Sequence, residues 1–343
     1  MQRYVGTQRI TSSLDPINDV LVLLEYLTAR DYLVEILVKR HGLAKGEAQR
    51  RSQSIIPHVR TSLAYLRQAQ FGPPELCFLP AYYGILNLLK VYVLFGPHHA
   101  DLKAQRWHGA SYPVDEKDSR SLLTEVVHLK KGGALPLYYK TVTGEAWPAR
   151  TQIKMGEMYP YIRNVSAEYS IATGKPGKLA LLKLERGRHK HKGKRTCTVV
   201  LLRRQGDSKV YSVRDFKVLR FFRRHPSDPN RFVGRAVAQD CKVSDLPIRQ
   251  QFRLSLVYSS GDQVMLTPVS SSRLLVPEEL PIALLFFHMS SVVRYKPEFL
   301  ERIRTSRCWP IMSAARQHCV LRMLILAWSF FHQENLAMTH QMP

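Results

Sequence analysis

The stretch Leu76 to Phe95, LCFLPAYYGILNLLKVYVLF, decides how the rest of the chain is read. It is long enough to cross the hydrocarbon of a bilayer. Within it, however, Gly84, Asn87 and Lys90 recur at three-residue steps, which places them on one stripe of a helix. A charge at the middle of a span costs about 2.5–3.5 kcal/mol. The stretch is therefore expected to be a core helix that offers one polar seam to its neighbours, and no membrane span is expected.

On its N-terminal side the pattern stays helical. Asp15-Pro16 reads as an N-cap followed by proline at the first helical position. Val20, Leu23, Leu24, Leu27, Val34 and Leu37 then recur near helical spacing until Gly42 closes the element. A second helix is expected over 45–70, with Pro57 kinking or interrupting it. Gly72-Pro73-Pro74 breaks the chain before the apolar stretch, and Gly96-Pro97 ends that stretch. After about residue 130 the texture changes: Gly132, Gly133, Gly144, Gly156, Gly174 and Gly177 punctuate shorter segments. Thr196 to Leu202 and Gln251 to Tyr258 read as strands, and a turn at Ser259 to Asp262 leads into Gln263 to Thr267. Val210 to Phe222 suits a strand or a short helix equally. Helical spacing returns over Leu280 to Val293, Pro297 to Thr305 and Ala314 to Phe331. The fold class expected is α+β: a bundle from 1–130 and 277–343, with a β-rich insertion over 131–276.

Composition bounds the function. Hydrophobic residues make up 45% and charged residues 23%, which excludes wholesale disorder. Lys and Arg number 51 against 27 Asp and Glu, a net +24, and such a field suits nucleic acid or an acidic protein partner. Cys77, Cys197, Cys241, Cys308 and Cys319 contain no CxxC pair, so reduced thiols are expected. The N-terminus MQRYVGTQRI has no secretory h-region, and a cytoplasmic location is expected. No phosphate-binding glycine loop, hydrolase elbow or HExxH pair is present, so no cofactor is expected. His98, His99 and Asp101 read as a surface loop, and no metal site is expected.

The charge is concentrated. Lys183 to Arg224 holds 15 Lys and Arg against 3 Asp and Glu, a net +12. Like charges this dense stay solvated, so a basic loop at the tip of two strands is expected. Arg186, Arg188, Lys190, Lys192, Lys194, Arg195, Arg203 and Arg204 are the candidate nucleic-acid contacts, suited to phosphates of DNA or RNA without reading sequence. His189 and His191 alternate with lysines and make poor metal ligands.

Two runs carry a resemblance. Pro80 to Lys90 followed by His108-Gly109, and Phe287 to Glu298, resemble signatures of YaaC-like proteins. That family is largely uncharacterised, so the resemblance implies an architecture more than an activity. Tyr82, Tyr83, Asn87, Lys90, His108 and Arg294 form its polar seam, read as a satisfied bundle interior or as a pocket for a phosphate-bearing ligand. A weaker resemblance to HEPN-type helical domains implies an alternative, a metal-independent RNase or toxin-type effector. Arg51 and His58 are the helical pair it would use, His as base and Arg as phosphorane stabiliser. A non-catalytic protein-interaction module is the third reading.

Overall fold

A computed structural model describes residues 6–12, 14–104, 108–113, 121–144, 147, 152–175, 180–191, 194–202, 222–224, 231–235, 254–256, 263–266 and 277–340. The fold class is α+β. The chain divides into two compact units, one built from 12–177, 279–332 and 340–343, the other from 1–11, 178–278 and 333–339.

The first unit is the helical one. Helix α1 (Pro16–Glu25) starts where Asp15 accepts the Asn18 N–H at 3.1 Å, as its N-cap reading requires. The single long helix expected up to Gly42 is two. A 3₁₀ turn over Tyr26–Thr28 and the extended Ala29 (φ −80°, ψ 115°) separate α1 from α2 (Arg30–Lys39). The break lets α1 lie against the C-terminal helix and α2 against α3, while Leu27 at the bend is fully buried. Helix α3 (Lys45–Gln68) runs through Pro57 without interruption. Gln53 and Pro57 are both exposed, so the carbonyl that loses its N–H partner faces water. Helix α4 (Pro74–Phe95) is the axis of the unit and packs against helices on several sides. By length and composition it could cross a membrane, yet 78% of its most apolar window is buried within the protein.

Residues 131–177, expected in the β-rich insertion, belong to this helical unit. Two of the glycines that suggested shorter segments end helices. Gly144 and Gly174 sit in the left-handed region (φ 66° and 68°) just past α5 (Ala134–Thr143) and α7 (Ser166–Thr173). Helix α6 (Met155–Met158) lies between them. A small antiparallel sheet of β2 (Ala110–Ser111), β3 (Val126–Leu129) and β4 (Gln152–Lys154) completes the region. The C-terminal part supplies α8 (Glu279–Tyr295), α9 (Pro297–Arg304), α10 (Trp309–Ala314) and α11 (Val320–His332). The helix expected to run from Ala314 to Phe331 contains a wide π turn at Ala315–Cys319. Aromatic contacts tie α11 to α4: Phe330 stacks on Tyr92 at 4.2 Å and Phe331 on Phe95 at 4.9 Å between centroids.

The second unit is β-rich. Strand β1 (Gly6–Ser12) pairs with β11 (Glu334–His340), and 1–11 and 333–339 belong to this unit, whereas 1–130 and 277–343 were expected in the bundle. Among the described residues β5 (Ala180–His191), β6 (Lys194–Leu202), β7 (Phe222–Arg224), β8 (Arg231–Arg235), β9 (Leu254–Leu256) and β10 (Gln263–Leu266) form an antiparallel sheet. Its order is β7-β8-β6-β5-β10-β9. The strand readings of 196–202 and 263–267 land on β6 and β10. The turn at 259–262 and most of the 210–222 segment lie outside the described residues.

Candidate functional site

Helices α3 and α4 run antiparallel and are joined by a ladder of polar contacts. At one end the Arg51 guanidinium donates to the carbonyls of Leu94, Phe95 and Gly96, at 3.1, 3.3 and 2.8 Å. These are orphan acceptors at the C-terminus of α4, and a cation there also suits the helix dipole. Arg51 is held in turn by Glu47 at 2.7 Å. Two turns further along, His58 Nδ1 and Asn87 Oδ1 lie 2.8 Å apart, and the Asn87 amide donates to Tyr83 O at 2.8 Å. Next, Ser62 Oγ donates to Gly84 O at 2.7 Å, and a Cβ on Gly84 would sit 2.5 Å from Leu66 Cγ. Glycine is thus required where α4 lies against Ser62 and Leu66 of α3. The Tyr65 and Tyr83 rings finish the ladder, 5.5 Å apart.

Arg51 and His58 therefore do not converge. One caps a helix end and the other joins the seam through Asn87. The seam residues themselves do come together. Tyr82, which is buried, bonds His108 Nδ1 at 2.6 Å, and their rings stack at 5.5 Å. Tyr83 lies 6.1 Å from the same imidazole. His108 is placed by the turn that follows it. Gly109 has φ 95° and lies so near Pro136 that a Cβ would come within 2.3 Å of its Cδ. The His108 carbonyl takes the Leu135 N–H, and that of Gly109 takes the Lys130 N–H. The pairing of His and Gly at 108–109 thus has a steric cause.

Electrostatically the seam is one-sided. Burial holds His58 and His108 below the usual imidazole pKa, and Lys90 pushes both the same way. Arg294 acts on His108 as well. Burial also lowers the Lys90 ammonium, and drives the Tyr82 phenol far above its usual range. Arg294 lies at the exposed end of α8, its Nε donating to Ser290 O at 3.0 Å.

A second polar cluster is deeper and has no signature in the sequence. Glu125, 3% exposed, accepts from Tyr112 and lies 3.7 Å from His288 Nε2 and 4.0 Å from Lys296 Nζ. Tyr159 meets the other ring nitrogen of His288 at 3.2 Å. Burial is the largest influence on His288 and lowers its pKa, despite Glu125. His288 and Lys296 lie in the run Phe287 to Glu298, but nothing in the spacing of the sequence ties them to Glu125. His98 and His99 face different carboxylates, Asp101 at 3.4 Å and Glu47 at 3.3 Å.

The basic segment folds as a hairpin rather than a loop. Arg186, Arg188 and Lys190 lie on β5, Lys194 and Arg195 on β6, with 192–193 between the strands. Lys190 is opposite Arg195 and His191 opposite Lys194, with a register irregularity between Arg186 and Lys190. Strand β10 pairs with β5 over Ala180–Lys183, and β8 pairs with β6 over Thr196–Val200. Among the described residues the far end of the hairpin is thus a two-stranded ribbon extending past the sheet. Lys192, Arg203 and Arg204 lie outside the described residues.

A family model described as YaaC-like Protein matches residues 25–330. No curated protein and no solved structure matches the chain. The matched interval contains the seam, the buried Glu125 cluster and the basic hairpin, and these comparisons lend no support to the HEPN-type resemblance.

Proposed function

The chain belongs to the YaaC-like protein family, and we propose that it is a cytoplasmic nucleic-acid-binding member whose basic hairpin holds phosphates. One observation carries this reading: within the +12 segment, β5 and β6 fold back on each other as a ribbon that sets the cations Lys190 and Arg195 opposite one another, with His191 opposite Lys194. Like charges directly opposite on paired strands are destabilising. A polyanion relieves that repulsion and gains entropy from the counterions it releases. A two-stranded β ribbon also matches the width of a duplex major groove. The buried free thiols Cys77, Cys308 and Cys319 suit a reducing compartment.

The test is a salt titration of the full chain on one RNA and one duplex DNA. It is repeated with Arg186, Arg188, Lys190, Lys192, Lys194 and Arg195 all changed to Gln. Binding by the ribbon predicts weaker affinity in the variant. The slope of log K against log salt should also be flatter, by about 0.7–0.9 for each phosphate no longer held. Unchanged affinity and slope would overturn the reading. Wild-type binding to an acidic protein but to neither nucleic acid would replace it with the interaction-module reading.

A further inference from the structure

The turn between α3 and α4 is the tip of a hairpin made by two long helices of the helical unit, and it exposes apolar side chains. Phe71 is 76% exposed and Leu76 66%. Cys77 draws the turn together. Its Sγ lies 3.3 Å from Phe71 O and 3.2 Å from Pro73 O, so residues 71 and 76 share one tight loop. Gly72 and Pro73 between them are exposed as well, and a Cβ added on Gly72 would meet nothing within 4 Å. The apolar surface is therefore a projecting tip and not a groove.

Cations flank that tip. Residues 302–318 carry Arg302, Arg304, Arg307 and Arg316 and no Asp or Glu. Side-chain bonds tie this stretch to both sides of the turn. Arg316, in the π turn, donates to Gln70 O at 2.8 Å, next to Phe71. Arg304, at the end of α9, holds Glu75, next to Leu76, at 2.8 Å, and its guanidinium lies 5.9 Å from the Trp309 ring. Glu75 is the only carboxylate over 69–77, and Arg304 neutralises it. Among the described residues the exposed Arg307 and the half-buried Arg316 pair with no carboxylate.

We propose that this tip docks the helical unit on an anionic phospholipid surface, with Phe71 and Leu76 entering the interface and Arg307 and Arg316 meeting lipid phosphates. Interfacial binding grows with the apolar area inserted and with the attraction of cations to anionic headgroups. The turn and its neighbours supply both. A protruding apolar tip suits a bilayer, which deforms around it, whereas a protein partner would need a matching cavity. The docking is peripheral, since most of α4 stays buried within the protein, and it does not depend on the basic ribbon.

The test is flotation of the full chain with phosphatidylcholine vesicles, with and without phosphatidylserine, for wild type and for the six-fold ribbon variant. A basic ribbon attracts any anionic surface, and the variant removes that contribution. Both proteins should float with the phosphatidylserine vesicles and not with phosphatidylcholine alone. Phe71→Ser combined with Leu76→Ser, at exposed positions on which folding does not depend, should weaken flotation at least tenfold in either background. Arg307→Gln combined with Arg316→Gln should do the same. Phe71→Trp should add fluorescence that brominated acyl chains quench, which requires insertion. Failure of the ribbon variant to float, or undiminished flotation after the paired serine substitutions, would overturn the proposal whatever the ribbon does with nucleic acid. Serine substitutions that change only self-association in the ultracentrifuge would overturn it in favour of a contact between copies of this chain. Tip-dependent binding of a polyglutamate peptide without flotation would overturn it in favour of an acidic protein partner.

Discussion

Acidification from pH 7.5 to 5 should destabilise the helical unit through two histidines at the C-terminal end of α11. His332 stacks on Trp328 with centroids 4.2 Å apart; its Nδ1 donates to Trp328 O at 3.0 Å and its Nε2 accepts from Tyr32 OH at 3.0 Å. His41 Nε2 donates to Phe331 O at 2.8 Å, with its ring edge-on to Phe95. Each set of partners fits a neutral ring, and protonating His332 would turn the acceptor facing Tyr32 into a donor. Burial is the main cause that lowers both pKa values to about 4, and the charge of His332 further disfavours that of His41. A helix C-terminus favours cations, but here desolvation outweighs that effect.

The sign follows from proton counting. The folded pKa lies below the unfolded value of 6.5, so the unfolded chain binds more protons throughout the interval between them. Stability is complete above about pH 7 and declines as pH falls from 6.5 toward 4, with a slope of about 1.4 kcal/mol per pH unit for each ring. By pH 5 each ring accounts for a loss of about 2 kcal/mol, so the pair removes a large fraction of a typical folding free energy of about 5–15 kcal/mol. His58, His108 and His288 are shifted in the same direction and add to the loss. The assay is urea unfolding at pH 7.5 and 5, followed by helical circular dichroism, on wild type, His41→Gln and His332→Gln. Each variant should lose about 2 kcal/mol less than wild type over this interval. Variants that keep the wild-type pH dependence would refute the reasoning, whatever their stability at pH 7.5.

Four further outcomes are expected. Gly109→Ala places a Cβ where φ is 95° and Pro136 Cδ would be 2.3 Å away, and should cost more than about 1 kcal/mol in thermal unfolding while loosening the Tyr82–His108 bond. Glu125→Ala strips a buried carboxylate from His288 and Lys296 and should cost about 3–5 kcal/mol, measured by urea unfolding at pH 7.5. Arg51→Ala frees three carbonyls at the end of α4 and should cost about 1–3 kcal/mol, and incubating wild type with RNA in chelator should give no cleavage that disappears in His58→Ala.

The sequence reveals elements whose cause is local, and it misleads where the same residue serves two geometries. Asp15-Pro16, the apolar run of α4 and the strands at 194–202 and 263–266 are written in caps and periodicity, which act over a few residues. Gly133, Gly144 and Gly174 are ambiguous because glycine supplies positive φ to a helix cap as readily as to a hairpin. Residues 131–177, expected in the β-rich part, belong to the helical unit. The break at Tyr26–Thr28 leaves no trace either, since only the partners of α1 and α2 decide where that helix divides.

The candidate site separates along the same line. Gly84, Asn87 and Lys90 are visible as one stripe of a helix, and that stripe meets α3 through Ser62 and His58. The role of His58 is not legible, because it depends on an antiparallel crossing that brings residues 58 and 87 within 2.8 Å. Arg51 and His58 look paired because seven positions along one helix bring two side chains to the same face. The α4 terminus then takes one of them and the middle of α4 the other, and the length of α4 between Asn87 and Gly96 keeps them apart. The same antiparallel packing that dissolves the RNase pair assembles the cationic seam. Within it lies Lys90, a half-buried ammonium whose charge adds to burial in holding His58 and His108 below the usual imidazole pKa.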